Sequence, residues 1–251
     1  MNNWEVRSFY TLRRIFTKTN MINIDVLILC GGQGRRLHKV ISDRPKPMAE
    51  INGRPFLDIL ISYVSSFGLK RFILCTGYMV DYIDQYFSSK NDSIEFVFSK
   101  EETPLGTGGA VKNAERFIKT SPFFVMNGDS FCSVDLIRFL NFHKSKDALL
   151  SMVVTKAKSS GDFGSLVLDN SEKIVRFKEK VRKDRALINA GIYLFEKDVL
   201  FSIPRDVAYS LEHDFFPKLA GQKFYGYTTT ARLIDIGTPE RYEEAKRFFK
   251  K

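Results

Sequence analysis

The chain has 251 residues, of which 44% are hydrophobic, and a formal net charge of +10. This length allows one large α/β domain or two small ones, and the 23 phenylalanines and 10 tyrosines exclude a disordered chain. The positive charges are scattered, and no zinc-finger or RNA-binding motif accompanies them, so small phosphorylated ligands are a better prediction than nucleic acid.

The three cysteines occur at neither metal-ligand spacing nor the spacing of a disulfide framework. They are Cys30, Cys75 and Cys132. We therefore expect reduced thiols in a cytoplasmic protein. No apolar run reaches the roughly 20 residues of a membrane-spanning helix, and none near the first residues has the form of a signal peptide.

Residues 1–20 are basic and aromatic, and a second methionine, Met21, follows them. An amphipathic surface helix, a dimer-contact arm and an upstream start-site extension are the alternatives for this segment. We predict an appendage that the chemistry does not need, followed by a single domain over residues 21–251.

From residue 24 onward, apolar runs alternate with segments of helical spacing. Strands are expected at 24–32, 71–78, 94–100, 123–129 and 148–156. Helices are expected at 55–70, 81–87, 111–118 and 134–145, the third opening from a glycine-rich turn at 104–110. This alternation predicts right-handed βαβ units and a mainly parallel sheet.

After residue 156 the pattern changes to neighbouring strands. The further elements expected are strands at 165–169, 173–180 and 188–196, a helix at 210–220 and a strand pair within 224–237. Thr238 is predicted to cap a final helix, with Pro239 at its first position.

Three polar glycine turns follow predicted strands, at the carboxyl ends where ligands bind in such sheets. They are Gly31-Gly32, the stretch from Gly106 to Gly109, and Gly128-Asp129. The first lies in LCGGQGRRL, which DRPKPM follows a few residues later. Glycines free the backbone to aim N–H groups at phosphates, and nearby cations add charge-assisted bonds. Leu37 replaces the third glycine of a dinucleotide fingerprint, and the Gly-Lys-Ser/Thr of a Walker loop is absent.

The pattern GGxGxRL followed by PKPM resembles the signature of the sugar-1-phosphate nucleotidyltransferase family. Five further motifs occur in the family's order, from about residue 24 onward: PLGTGGA, NGD, FKEK, NAGIY and DIGTPE. The resemblance implies the nucleotide-diphospho-sugar transferase fold, a Rossmann-like three-layer α/β sandwich with a mainly parallel, mixed central sheet. Residues 1–20 have no counterpart in this resemblance.

By this resemblance, the first loop and the two later glycine turns bind the nucleotide. The residues implied are Leu29, Cys30, Gly31, Gly32, Gly34, Pro104, Gly106, Thr107 and Gly128. Arg36 would bind the leaving pyrophosphate and Lys46 would contact the α-phosphate. Arg35 departs from the family, which usually has Thr or Ser there. Its side chain either adds a triphosphate contact or points to solvent.

The metal and sugar sites are also implied by resemblance. Asp129 and Asp235 resemble the two aspartates that hold Mg²⁺, and carboxylates with phosphate oxygens suit this cation. The sugar-phosphate residues implied are Gly164, Glu179, Lys180 and Asn189. Taken alone, the KEK sequence around Glu179 is more typical of a solvated surface.

The reaction implied joins a triphosphate to a phosphomonoester, whose second pKa is about 6. The two reactants repel each other, so catalysis depends on positioning and on neutralising charge. Arg36, Lys46 and Asp129 are the residues expected to do this. The sugar phosphate oxygen is itself the nucleophile, so direct in-line attack without a covalent enzyme intermediate is our hypothesis.

Glu101 lies three residues before Pro104, beside the loop expected to hold the base. Guanine presents two donors on one edge, which a carboxylate accepts, whereas uracil and thymine offer one donor flanked by acceptors. The sequence therefore favours GTP, provided that Glu101 does not face solvent.

The short chain, the SLEHDFFPKLA stretch and the FKEK and NAGIYLF block look most like the D-glycero-α-D-manno-heptose 1-phosphate guanylyltransferases, which make GDP-heptose for bacterial surface polysaccharide. A mannose-1-phosphate guanylyltransferase, a glucose-1-phosphate thymidylyl- or uridylyltransferase, and a non-catalytic regulatory protein that binds sugar nucleotides are the alternatives. The partners expected are GTP and a sugar 1-phosphate, without nucleic acid or membrane insertion, and a homodimer is left open.

Overall fold

The computed structural model describes residues 22–32, 34, 36–37, 40–90, 93–156, 165–178 and 186–250. The appendage predicted at residues 1–20 lies outside the described residues. So do four of the predicted site residues, which are Arg35, Gly164, Glu179 and Lys180.

A nine-stranded mixed sheet forms the centre of the protein. Its strands are β1 (Ile22–Leu29), β4 (Leu69–Thr76), β5 (Glu95–Lys100), β6 (Phe123–Asn127), β8 (Leu150–Lys156), β9 (Ser165–Leu168), β10 (Ile174–Lys178), β11 (Leu187–Phe195) and β12 (Phe224–Thr229). Two small sheets accompany it, formed by β2 (Glu50–Ile51) with β3 (Arg54–Pro55) and by β7 (Ser130–Cys132) with β13 (Leu233–Asp235).

Six α-helices lie among the described residues. They are α1 (Phe56–Ser65), α2 (Val80–Ser88), α3 (Gly106–Asn113), α4 (Leu136–Ser145), α5 (Phe216–Leu219) and α6 (Pro239–Phe248). Short 3₁₀ turns occur at Lys46–Met48, Ala114–Phe117 and Lys197–Ser202, and a single wide π-helical turn at Leu211–Phe215 leads into α5. None of these helices has the length and apolar character that crossing a bilayer requires.

The order of strands in the large sheet runs β10-β9-β11-β6-β1-β4-β5, and β8 pairs with β11 and β12. Strands β6, β1, β4 and β5 pair in parallel, whereas β11 is antiparallel to β6, β8 and β9. Parallel neighbours bring their carboxyl ends to one edge of the sheet, and the chain leaves that edge through the glycine turns.

Helices cover both faces of this sheet, which makes three layers. Val26 and Ile28 of β1 pack with α1, α2, α4 and α6 on one face. Leu27, between them, packs with α3 and with the π-turn and α5 on the other face. β1 is therefore buried on both sides, which is why its sequence is a continuous apolar run rather than an alternating one. The predicted three-layer, mixed α/β fold is confirmed.

Most predicted elements are present within a few residues of their expected bounds. All three cysteines are buried and unpaired. The cap of α6 also agrees with the prediction, since the Thr238 hydroxyl accepts a bond from the Arg241 N–H at 3.4 Å.

Two predictions about local structure are wrong. The segment 224–237 does not fold into a strand pair, because β12 joins β8 in the large sheet while β13 joins β7. The glycines after Leu105 do not form a turn ahead of a helix but are themselves the first turn of α3. Glycine is needed at these positions because another segment packs directly against the backbone and leaves no room for a side chain, as described below.

Candidate active site

A cavity of about 510 Å³ lies at the carboxyl ends of the parallel strands. It brings together most of the described residues that were predicted to bind the nucleotide or to act in catalysis. These are Leu29, Cys30, Gly31, Gly32, Gly34, Lys46, Glu101, Pro104, Gly106, Thr107 and Asp129. Four other predicted residues are not part of its wall, namely Arg36, Gly128, Asn189 and Asp235. Arg36 is exposed, on the turn that follows the first glycine loop.

The first glycine loop leaves room for the side chain of Lys46. Gly34 has a φ of +59°, and a Cβ atom there would lie 2.7 Å from the Cβ of Lys46. Lys46 starts the 3₁₀ turn Lys46–Met48, and prolines stand on both sides of it. The loop backbone and this lysine therefore share one wall of the cavity.

Lys46 forms an ion pair with Asp129 at the floor of the cavity. Protein surrounds Asp129, yet 34% of its side chain remains exposed to the cavity. Burial raises the pKa of Asp129, but the Lys46 ammonium and hydrogen bonds from Lys46 and Ser130 outweigh burial and lower it. Asp129 is therefore ionised near neutral pH, as a metal ligand must be.

The second predicted metal ligand, Asp235, stands next to Asp129 on the small sheet. In the β7–β13 pair, Asp235 lies opposite Ser130, and the Ile236 N–H donates to the Asp129 backbone oxygen at 3.1 Å. The Asp235 carboxylate accepts bonds from the Gly237 N–H at 2.9 Å and from Arg241 Nη1 at 3.2 Å. The structure thus brings together two aspartates from distant parts of the sequence.

Glu101 follows β5 and is half-buried in the cavity wall, so it does not face bulk solvent. Its Oε2 accepts a bond from the Leu105 N–H at 3.1 Å. Burial raises the pKa of Glu101, and this hydrogen bond opposes the effect. One carboxylate oxygen is thus held by the backbone just before α3, while Glu101 still lines the cavity.

The start of α3 also lines the cavity, through Gly106, Thr107 and Ala110. The N–H groups of Gly108 and Gly109 both donate to the backbone oxygen of Tyr209, at 2.8 and 3.0 Å. Free N–H groups at a helix start can bind anions, and these two are already bonded within the protein. They are therefore not available to a phosphate.

Thr107 and Asn189 use their polar atoms within the protein. The Thr107 hydroxyl donates to Glu212 Oε2 at 2.7 Å and accepts from the Leu211 N–H at 2.8 Å. Asn189 accepts from the Gly191 N–H at 2.8 Å and donates to the hydroxyl of the fully buried Tyr193 at 2.7 Å. Burial also raises the pKa of Tyr193.

Several wall residues were missed by the sequence analysis, and they are Pro47, Gly77, Tyr78, Glu102, Thr103, Ala110 and Asn127. Three of these residues had a usable signal in the sequence. Asn127 opens the NGD motif that ends at Asp129, and its buried Oδ1 has no hydrogen-bond partner among the described residues. Gly77 and Tyr78 follow β4 at the edge where ligands bind.

The family described as Nucleotidyl transferase matches residues 25–251. The chain belongs to the nucleotidyl transferase family. This nucleotidyl transferase is 36% identical over 225 residues to the D-glycero-alpha-D-manno-heptose 1-phosphate guanylyltransferase of Aneurinibacillus thermoaerophilus, an alignment that covers 89% of this chain and 97% of that protein. The family predicted from the motifs is confirmed.

A solved structure and a second relative extend the comparison. The crystal structure of HddC from Yersinia pseudotuberculosis complexed with GMP-PN superposes on this nucleotidyl transferase with a TM-score of 0.80 and 39% identity, covering 90% of this chain and 100% of that one. The Mannose-1-phosphate guanylyltransferase of Mycobacterium tuberculosis is 34% identical over 226 residues, covering 87% of this chain and 62% of that protein.

Proposed function

We propose that this protein transfers GMP from GTP to D-glycero-α-D-manno-heptose 1-phosphate, giving GDP-heptose and pyrophosphate. The observation that carries the nucleotide choice is the half-buried Glu101 carboxylate in the cavity wall. The similarity to a heptose 1-phosphate guanylyltransferase along nearly the whole length of both chains supports the sugar choice. Residues 21–251 would act as one domain, in keeping with the family match over residues 25–251.

Glu101 suits guanine because a carboxylate accepts hydrogen bonds and donates none. Its Oε2 spends one lone pair on the Leu105 N–H, which leaves acceptor positions on both oxygens for the two donors of guanine. Uracil and thymine would place a carbonyl oxygen against this charge. The same wall therefore attracts guanine and repels uracil and thymine.

The charges of the cavity wall support a requirement for Mg²⁺. Its described residues include three carboxylates, Glu101, Glu102 and Asp129, against one ammonium, Lys46. A triphosphate can approach such a wall only with further cations. Asp129 and Asp235 would hold Mg²⁺, which would neutralise phosphate oxygens. No group of three or more His, Cys, Asp or Glu suited to a metal occurs in the described part of the chain, so phosphate and water would complete the coordination.

The side chains of this protein would position the reactants rather than react with them. Burial raises the pKa of the Cys30 thiol, so it is a poor nucleophile, and the Thr107 hydroxyl is bonded to Glu212. Lys46 would stabilise charge on the α-phosphate, and Arg36 would bind the leaving pyrophosphate. The phosphate of the sugar then attacks in line, and inversion at a chiral α-thiophosphate is the expected stereochemistry.

Pyrophosphate release with Mg²⁺ tests the proposal directly, using four nucleoside triphosphates against heptose, mannose and glucose 1-phosphates. We expect turnover with GTP and heptose phosphate, and at least a thousandfold loss in Asp129→Asn. Asp147→Asn, whose side chain is 89% exposed, is the matched control and should retain full activity. Turnover with mannose 1-phosphate instead would overturn the sugar choice. If the folded protein releases no pyrophosphate with any pair of substrates, a regulatory role would be favoured.

Glu101→Gln tests the nucleotide choice separately. An amide can both donate and accept, so the variant should bind GTP more weakly and use UTP or dTTP better than the wild type does. The ratio of kcat/KM for GTP to that for UTP is the measurement. Glu102→Gln changes the exposed neighbouring carboxylate and should leave this ratio nearly unchanged. An unaltered ratio in Glu101→Gln would contradict the role of Glu101.

A further inference from the structure

The segment from Val207 to Glu212 packs against the start of α3, on the side away from the cavity. The Tyr209 N–H donates to the Leu105 backbone oxygen at 2.8 Å, and the Tyr209 oxygen accepts the two glycine N–H groups of α3. A Cβ atom at Gly109 would lie 2.8 Å from the Val207 oxygen. We call the first turn of α3 the base wall, because the proposed function places the base against it. We call residues 207–212 the clamp, because they contact this turn.

Glu212 joins the clamp to the base wall through side chains. Its Oε2 accepts the Thr107 hydroxyl at 2.7 Å and the Ser210 hydroxyl at 3.0 Å. The Ser210 oxygen in turn accepts the Glu212 N–H at 3.2 Å and the His213 N–H at 3.1 Å. Glu212 is half-buried, so these bonds are protected from water on one side.

The chain around Glu212 has an unusual turn. The Phe215 N–H donates to the Ser210 oxygen five residues before it, at 3.1 Å, and this widens the turn to π-helical form. Such turns are rare and recur near functional sites. Glu212 is the second residue of this turn, and its side chain bonds to Thr107.

We propose that Glu212 is a positioning residue for the base: it holds Thr107 and the first turn of α3 at the distance from Glu101 that guanine requires. Glu212 is not itself part of the cavity wall. It acts through Thr107, whose side chain lines the cavity on one side and contacts Glu212 on the other. This inference rests on the proposed function only in taking the bound base to be guanine.

The role of Glu212 separates two parts of nucleotide binding. Under the proposed function the triphosphate would contact the glycine loop and Lys46, and no hydrogen bond of the clamp among the described residues reaches either of them. Loss of Glu212 should therefore weaken binding of the base and leave binding of the phosphates intact. A general loss of structure would weaken both.

The experiment measures equilibrium binding of GMP, GTP and inorganic tripolyphosphate to the full chain. Removing a charge-assisted bond in Glu212→Ala should weaken GMP and GTP binding roughly tenfold and tripolyphosphate binding hardly at all. Glu212→Gln keeps an acceptor for Thr107 and should restore most of the loss. In turnover assays, Glu212→Ala should raise the KM for GTP with little change in kcat.

Thr107→Val supplies the second variant, because it removes the same bond from the other side. It should reproduce the binding pattern of Glu212→Ala, and the double variant should add nothing further. His213→Ala changes the exposed neighbour on the same turn and is the control. Equal losses for GMP and tripolyphosphate, or additive losses in the double variant, would overturn the inference. A wild type that prefers another base would refute the GTP assignment alone, and the variants would then be tested with that nucleotide.

Discussion

At Gly106 the chain has a φ of +70°, and a Cβ atom would lie 2.8 Å from the backbone oxygen of Tyr209. The left-handed conformation and the close approach of the clamp both require glycine there. Backbone atoms of two elements meet at this point, so neither can move aside as a flexible side chain would. The base wall can keep this position only because residue 106 carries a hydrogen atom where any other residue would carry a carbon atom.

Gly106→Ala should destabilise the protein by about 1–2 kcal/mol for the left-handed conformation, with about 1–3 kcal/mol more for the overlap. Gly53→Ala is the matched control, because Gly53 has a φ of +83° with open space around it. Denaturant unfolding of both variants separates the two effects. Equal losses of unfolding free energy in the two variants would show that the clamp shifts to accommodate the added methyl group at little cost.

Individual site residues differ in how far the sequence could predict them. Lys46 and Asp129 were predicted from two separate motifs that resemble those of the family, PKPM and NGD, and the folded chain brings them together as an ion pair. Asn127 was missed although it opens the NGD motif from which Asp129 was predicted. Glu212 could not be assigned from sequence, since its role depends on a contact with Thr107 that only the folded chain creates.

Helix α4 is fixed to the sheet through a buried histidine. His143 is 1% exposed, its Nδ1 lies 2.8 Å from the Ser151 hydroxyl, and its Nε2 lies 3.3 Å from Glu196. Burial lowers the pKa of His143 below the usual 6.5, although Glu196 opposes this. The folded protein therefore favours the neutral imidazole.

This pKa shift makes the stability of the α4 contact depend on pH. Below pH 6.5 the unfolded chain takes up the proton more readily than the folded one, so unfolding becomes easier as the pH falls toward the lower folded pKa. The free energy of unfolding should therefore fall more steeply from pH 7 to pH 5 in wild type than in His143→Gln. His213→Gln, at an exposed histidine, should follow the wild type. Parallel pH profiles for wild type and His143→Gln would contradict this account.

The positions of strands and helices were predicted better than the pairing of the strands. Apolar runs mark strands locally, so β12 and β13 were both expected within 224–237. Their pairing was wrong because adjacency in sequence favours a hairpin, whereas β8 and β7 offered edges formed by far earlier residues. The two-residue strands β2 and β3 and the 3₁₀ turns are too short to leave a periodic signal.

The whole molecule carries a net charge of +10, although the described cavity wall holds more carboxylates than ammonium groups. Attraction of a nucleotide from a distance must then come from the surface as a whole. Raising the salt concentration from about 0.01 M to about 1 M shortens the Debye length from about 30 Å to about 3 Å. The kcat/KM for GTP should therefore fall much more than kcat over this range. A kcat/KM that is independent of salt would show that long-range attraction by the surface does not contribute.

The pairing of β13 with β7 has a consequence for the protein during its synthesis. Asp129 leaves the ribosome well before Asp235, which lies on β13, the last strand among the described residues. A nascent chain extended only as far as β12 can form most of the large sheet and still lacks one of the two carboxylates. The two aspartates can meet only after β13 has emerged, so, under the proposed metal site, translation would delay the onset of activity until β13 has joined β7.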